Sequence, residues 1–267
     1  FASRLSYERD LKAIQSLVRR KTDSNYRTEI LQPQTGNDSM KYGYNGISQF
    51  SSVRNTDASS TLDKLGFKSE GTNLNLRYQN NSILMDSLFG VRYNLSQQPV
   101  QKFGFKEIAT KNGVSLSENE YALPIAFLSA KPYKNISFTN STVSFDTPEF
   151  FALDLDQYTQ AIASIRQQEV AIHKKKNKLV AAYNANRDTT LIFTLPYDKG
   201  WSAKQNGKPI QIHRIQKGLM GVRVSKGSGT VTLTFVPQGF IEGLIAFFVG
   251  IILFFLYEWR QIKRRKS

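Results

Sequence analysis

The chain has 267 residues, 40% of them apolar, which is enough to bury a sizeable core, and it contains no cysteine. Thiol nucleophiles, thiolate metal sites and a disulfide scaffold are therefore excluded. Thirty-six Lys and Arg stand against 21 Asp and Glu, a formal charge of +15, so the partners to expect are anionic: phospholipid headgroups, phosphate-rich polymers or nucleic acid.

Leu5 to Arg20 places Leu11, Ile14, Leu17 and Val18 at helical spacing, which predicts an amphipathic helix. Tyr26 to Ile30 alternates as a strand does, and a polar stretch from Gln32 to Ser52 follows, carrying Tyr42, Tyr44 and Phe50. A short helix is predicted over Ala58–Leu65 behind the capping residues Asn55–Asp57. Leu74–Tyr78 and Tyr93–Leu95 read as strands on either side of a helical turn, Ile83–Leu88. Between Val100 and Ser144 the candidate strands are Lys102–Glu107, Tyr121–Phe127 and Thr142–Phe145. Asp156 then caps a helix over Gln157–Gln168 with Tyr158, Ile162 and Ile165 as its buried stripe.

From Glu169 short strands recur every eight to twelve residues or so, the sign of an antiparallel sandwich or jelly roll. They are Val170–Ile172, Val180–Tyr183, Leu191–Thr194, Trp201–Lys204, Ile210–His213, Met220–Val224 and Val231–Phe235. Turns fall at Pro196–Gly200, Asn206-Gly207 and Gly227–Gly229, with Asn206-Gly207 a strong hairpin signal. The fold class expected is mainly β with some helices (α+β). Residues 1–168 form an α+β region and 169–238 a β-sandwich region of the same head; periodicity leaves open whether that head is one sandwich or two.

Residues 239–259 are read as a transmembrane helix and 260–267 as a basic tail. The run from Phe240 to Tyr257 is almost wholly apolar and long enough for a hydrocarbon core of about 30 Å. Arg260, Lys263, Arg264, Arg265 and Lys266 follow it, with Tyr257 and Trp259 where an interfacial aromatic belt belongs. Basic residues collect on the cytoplasmic side, so the tail is expected inside and residues 1–239 outside a bacterial plasma membrane. Without the tail's five basic residues and Glu258, the rest still carries a net eleven positive charges. That compartment, and the lack of any zinc, RNP or helix-turn-helix signature, argue against nucleic acid. Phe1 is preceded by no Met and no export signal, so an upstream transmembrane part of the same polypeptide is expected to carry the head across.

No constellation of residues carries chemistry of its own. His173 and His213 fall in separate predicted strands without partners at metal-ligand spacing, so neither a metal nor a cofactor is expected. The carboxylate pairs Asp154/Asp156 and Glu118/Glu120 read as loop or cap residues, and no catalytic residue is assigned. The densest basic run in the head, His173 to Lys178, offers Lys174, Lys175 and Lys176 to an anionic polymer or to headgroups, or forms a solvated turn. Trp201, after Gly200, is placed either to stack on a sugar ring or to serve as a core aromatic.

A longer pattern runs through these pieces. Leu195-Pro196-Tyr197-Asp198-Lys199-Gly200-Trp201 is followed by Asn206-Gly207-Lys208, Gly221-Val222, Gly227 and Phe235-Val236-Pro237-Gln238-Gly239 leading into the apolar run. Upstream lie Tyr26-Arg27 with Glu29, Tyr44-Asn45-Gly46-Ile47 with Phe50-Ser51-Ser52, Leu65-Gly66, and Asp86 to Tyr93. In this order the motifs resemble the YfhO family of bacterial membrane proteins, with Tyr197, Asp198, Gly200, Trp201, Gly207, Pro237 and Gly239 as the family positions. Asn206 and Phe235 stand where that family often has Asp and Tyr. The resemblance implies the C-terminal part of a polytopic glycosyltransferase of the GT-C architecture, which adds sugars from polyprenyl-phosphate donors to cell-wall polymers such as lipoteichoic acid. Its catalytic carboxylate would lie in an early loop outside this chain, leaving this part to bind or position the acceptor. The partners so implied are membrane lipid and an anionic wall polymer or polyprenyl-linked sugar. The alternative is a membrane-anchored scaffold that binds wall polymer and does no chemistry.

Overall fold

A computed structural model describes residues 4–23, 25–52, 55–65, 67, 69–70, 75–78, 82–99, 102–129, 155–168, 170–175 and 177–266. Helix α1 (Arg4–Lys21) follows the predicted spacing: Ile14, Leu17 and Val18 are buried, and Leu11 packs against the same cluster. Arg19, Arg20 and Lys21 close its last turn, the end where the helix dipole favours cations. Strand β1 (Arg27–Ile30) is buried at all four positions, so its alternation does not mark a wet face. Helix α2 (Asp38–Tyr42) arises within the polar, aromatic-bearing stretch to which no element was assigned; at five residues it is too short for a period to register. Strand β2 (Gln49–Phe50) precedes helix α3 (Thr56–Lys64), which starts as predicted, the Asn55 side chain accepting from the Ala58 N–H at 3.0 Å.

Strands β3 (Ser69–Glu70) and β4 (Asn75–Leu76) pair with β2 in a small sheet, and α4 (Ile83–Leu88) falls where the helical turn was placed. Strands β5 (Val91–Ser96), β6 (Phe105–Lys111) and β7 (Val114–Asn119) follow. The expected strand at Lys102 begins later, at Phe105, and β7 was not foreseen. The turn between β6 and β7 is Asn112-Gly113, both with positive φ, the same two-residue device as Asn206-Gly207. These strands form a sheet ordered β1-β5-β7-β6, in which only β1 and β5 are parallel. Residues of α1 and α2 pack on it through Ile14, Leu17, Val18 and Tyr42 against Tyr93, Leu95 and Leu116.

The strand expected over Tyr121–Phe127 is shifted to β8 (Ala126–Ser129), while Thr142–Phe145 lies outside the described residues. Helix α5 (Leu155–Gln167) takes in Asp156 instead of being capped by it, and buries Ile162 and Ile165. The remaining strands are β9 (Val170–Lys175), β10 (Lys178–Ala185), β11 (Thr189–Phe193), β12 (Trp201–Gln205), β13 (Lys208–Ile210), β14 (Ile212–Ile215), β15 (Leu219–Val224) and β16 (Gly227–Phe235). They build one sheet ordered β13-β12-β16-β10-β9 and another ordered β14-β15-β11-β8, all antiparallel. Leu179, Ala181, Leu191, Phe193, Val222, Val231 and Leu233 fill the space between the two. The single strand expected over Ile210–His213 is divided at Gln211: β13 bonds into the first sheet and β14 into the second, a corner at which the chain changes sheets. Strand β16 also begins four residues early, at Gly227, where a turn was expected.

The fold is thus mainly antiparallel β with helices, an α+β class, and it ends in helix α6 (Phe240–Lys266). At 27 residues α6 is about 40 Å long. None of its apolar window is covered by the rest of the chain, and Phe247, Ile252 and Phe255 are more than half exposed. An apolar helix left bare on every side is stable in a bilayer and not in water.

Candidate functional site

Strand β16 delivers the chain to α6, and its register shows what surrounds the point of exit. Phe235, its last residue, lies opposite Trp201 of β12, and Thr234 lies opposite Lys178 of β10. The Phe235 N–H donates to the Asn177 carbonyl and the Val236 N–H to that of Gly200, at 3.2 and 3.0 Å. The β9–β10 turn and the start of β12 therefore both sit at the bilayer end of the sandwich. Lys175 pairs with Lys178 across that turn, and Lys174, exposed, lies opposite Leu179; Lys176 falls outside the described residues.

The Pro196–Gly200 turn is built to reach this junction. The Asp198 carboxylate accepts from the Gly200 N–H at 2.7 Å, and the Trp201 N–H donates to the Asp198 carbonyl at 3.2 Å. Tyr197 is tied through its N–H to the Gly218 carbonyl at 2.8 Å and through its own carbonyl to the Asn55 amide at 2.6 Å. A side chain on Gly200 would run into the Val236 carbonyl and the Phe235 ring. Trp201 is half-buried, its ring 5.0 Å from that of Phe235, and it packs against the sandwich core. Beyond Phe235, Pro237 accepts from the Phe240 N–H, and Gly239, at φ +78°, accepts from the Gly243 N–H, which opens α6. Tyr197, Asp198, Gly200, Trp201, Pro237 and Gly239 thus meet at one place. Gly207 does not: with φ +84° it forms the β12–β13 turn at the opposite end of β12.

A second concentration of polar groups lies inside the head. Arg27 is buried and donates to the Phe89 carbonyl and to both the hydroxyl (2.8 Å) and the carbonyl of Thr194. Burial lowers its guanidinium to about 10, with the Glu29 charge opposing the fall. Glu29, fully buried, accepts from the Ile47 N–H and from the Ser48 N–H (3.2 Å) and hydroxyl (2.8 Å). Burial nonetheless raises its carboxyl to about 7. Asp86 accepts from the Tyr78 hydroxyl at 2.9 Å and from Lys102; burial lifts it to about 6 and pulls Lys102 down. Beside Arg27 is a cavity of about 160 Å³ lined by Gly46, Ile47, Phe89, Thr194 and Pro196 among others. Motif pieces scattered from Arg27 to Pro196 in sequence thus surround one interior. The burial of Arg27 and Glu29 carries no signal within the strand, whose residues Arg27-Thr28-Glu29-Ile30 are mostly polar; it is set by Ile47, Ser48, Phe89 and Thr194, which are distant in sequence.

Of the carboxylates read as loop or cap residues, Glu118 and Glu120 have definite partners. Glu118 lies within β7 and takes Arg92 Nε and Nη2 at 2.6 Å each; Glu120, just beyond, takes Lys106 at 2.6 Å. Asp154 lies outside the described residues. His173 is on β9 and His213 on β14, in different sheets. Among the described residues no group of three His, Asp or Glu is placed to hold a metal.

Against known proteins, the chain matches the family model described as bacterial membrane protein YfhO over residues 1–143 and 135–247. It is also similar to a protein of Bacillus subtilis (strain 168) named "Uncharacterized protein YfhO", with 32% identity over 91 residues. That alignment covers 34% of this chain and 10% of the relative's length.

Proposed function

This chain belongs to the YfhO family of bacterial membrane proteins, and we propose that it is the extracytoplasmic head and closing membrane helix of a wall-polymer glycosyltransferase. In this reading the full-length protein transfers sugars from polyprenyl-phosphate donors to a polymer such as lipoteichoic acid. The head holds the anionic acceptor, or the polyprenyl-linked sugar, beside a transferase core formed elsewhere in the polypeptide. Five basic residues after the apolar run support an inward-facing tail and an outward-facing head.

The observation that carries the reading is the register at the end of β16. It sets Lys175, Lys178 and Trp201 beside the last residues of β16, which four residues separate from the helix that enters the bilayer. A lipid-anchored polymer with repeating phosphates runs past that level, where each nearby Lys attracts a phosphate most strongly at low salt. The test is made in cells. Deleting the full-length protein should remove sugar from isolated lipoteichoic acid, and the wild-type gene should restore it. A version with Lys174, Lys175 and Lys176 reversed to Glu should restore it only partly, and purified variant should bind the polymer less tightly, most clearly at low salt. Unchanged glycosylation in the deletion would leave a scaffold that binds polymer without chemistry.

A further inference from the structure

A groove of about 470 Å³ opens between the N-terminal sheet and the start of β9, lined by Tyr26, Arg92, Glu120, Arg166, Gln168 and Val170 among others. Its size falls in the range of small-molecule sites, roughly 300–1,000 Å³. Two guanidinium groups reach it from different elements. Arg92, on β5, lies over the Tyr26 ring at 4.4 Å and is gripped by Glu118, so its plane is set in advance. Arg166, on α5, is exposed and spends one Nη2 bond on the Ala122 carbonyl at 2.7 Å. A guanidinium has five N–H donors, so among the described residues both keep donors for something else.

The charge balance points to an anion. Glu118 is matched by Arg92 and Glu120 by Lys106, which leaves Arg166 without a carboxylate partner among the described residues. Tyr26, Gln168 and Glu120, which also line the groove, add groups suited to hydroxyls. We propose that this groove binds a phosphate ester of a sugar or polyol. The two guanidinium forks take the phosphate oxygens, a geometry that Lys cannot reproduce, and Glu120 and Gln168 take the hydroxyls. The groove is distinct from the basic turn: Ala171 lines it at the opening of β9, and Lys175 lies four extended residues away, roughly 13 Å.

The ester has two possible sources, a polyol-phosphate repeat or a glycosyl phosphate, and the probes separate them. Saturation-transfer NMR on the full chain in nanodiscs would use sn-glycerol 3-phosphate and glucose 1-phosphate, with glycerol and glucose as neutral controls. Transfer is expected to one or both phosphorylated probes and to neither neutral one; which of the two is preferred names the source. Arg92→Lys and Arg166→Gln should each weaken binding about tenfold or more. Arg166 is exposed, so that variant should keep the parent melting temperature even if Arg92→Lys does not. No transfer to either phosphorylated probe, equal transfer to the neutral ones, or full binding by a folded Arg166→Gln chain would overturn the assignment.

Discussion

Glu29 has no side-chain surface left to water, yet a strand of four residues carries it and Arg27 into the interior. Each is held by groups from distant parts of the chain, Ile47 and Ser48 for the carboxyl and Phe89 and Thr194 for the guanidinium. Burial raises Glu29 from 4.5 to about 7, so between those values the folded state keeps a proton that the unfolded chain has lost. Its contribution is therefore complete below pH 4.5 and is lost as pH rises through about 7, a difference of about 3 kcal/mol at most. Asp86, raised to about 6, acts in the same direction. Glu29→Gln should keep the acceptor oxygen and flatten the fall in melting temperature between pH 4.5 and 7. An unaltered slope would mean that Glu29 titrates as it does in water.

At the scale of elements, the four-residue link between β16 and α6 determines how the head stands on its anchor. Gly200, just before β12, lies against the start of that link, its backbone close to Val236 and Phe235. Gly200→Ala forces a shift of the β12 start away from β16, at a cost of about 1–3 kcal/mol by analogy with overpacked cores. A lowered melting temperature with faster hydrogen exchange at Trp201 and Val236 is expected; a variant as stable as the parent would show that the link yields freely. The hairpins tell a complementary story. Asn206-Gly207 was read as a turn and is one, and Asn112-Gly113 carries the same dipeptide with the same positive φ angles. The strand behind it, Val114-Ser-Leu-Ser-Glu-Asn, opens with the alternation of a strand yet is buried on both faces, so its polar positions mark no solvent side.

For the molecule as a whole, the bare helix α6 and the basic rim of the sandwich belong to one surface, the plane in which the chain meets lipid. The proposed orientation, head outside and tail inside, predicts that protease added to intact cells digests residues before Phe240 and spares the tail, whose removal should require access from the cytoplasm. The reverse pattern would invert the orientation and withdraw the proposed role. The clusters of the N-terminal part and the sandwich are also joined: Phe89, Leu123 and Ile162 pack with Ile192, Ile215 and Leu219. The groove with Arg92 and Arg166 lies along that seam, where a bound ester would touch both parts.

Local rules sufficed wherever a property belongs to consecutive residues: the stripe of α1, the Asn55 cap of α3, the Asn206-Gly207 turn and the apolar length of α6. Those follow from spacing, side-chain reach and hydrophobic length, which the chain carries whatever surrounds it. Only tertiary structure decided that β8 pairs with β11, more than sixty residues away, that Gln211 sends the chain from one sheet to the other, and that Arg27, Glu29 and Asp86 lie inside. It also brought Tyr26, Arg92 and Arg166 to one groove and the lysine turn to the foot of β16. Strand pairing and desolvation depend on partners distant in sequence, and no window along the chain contains them.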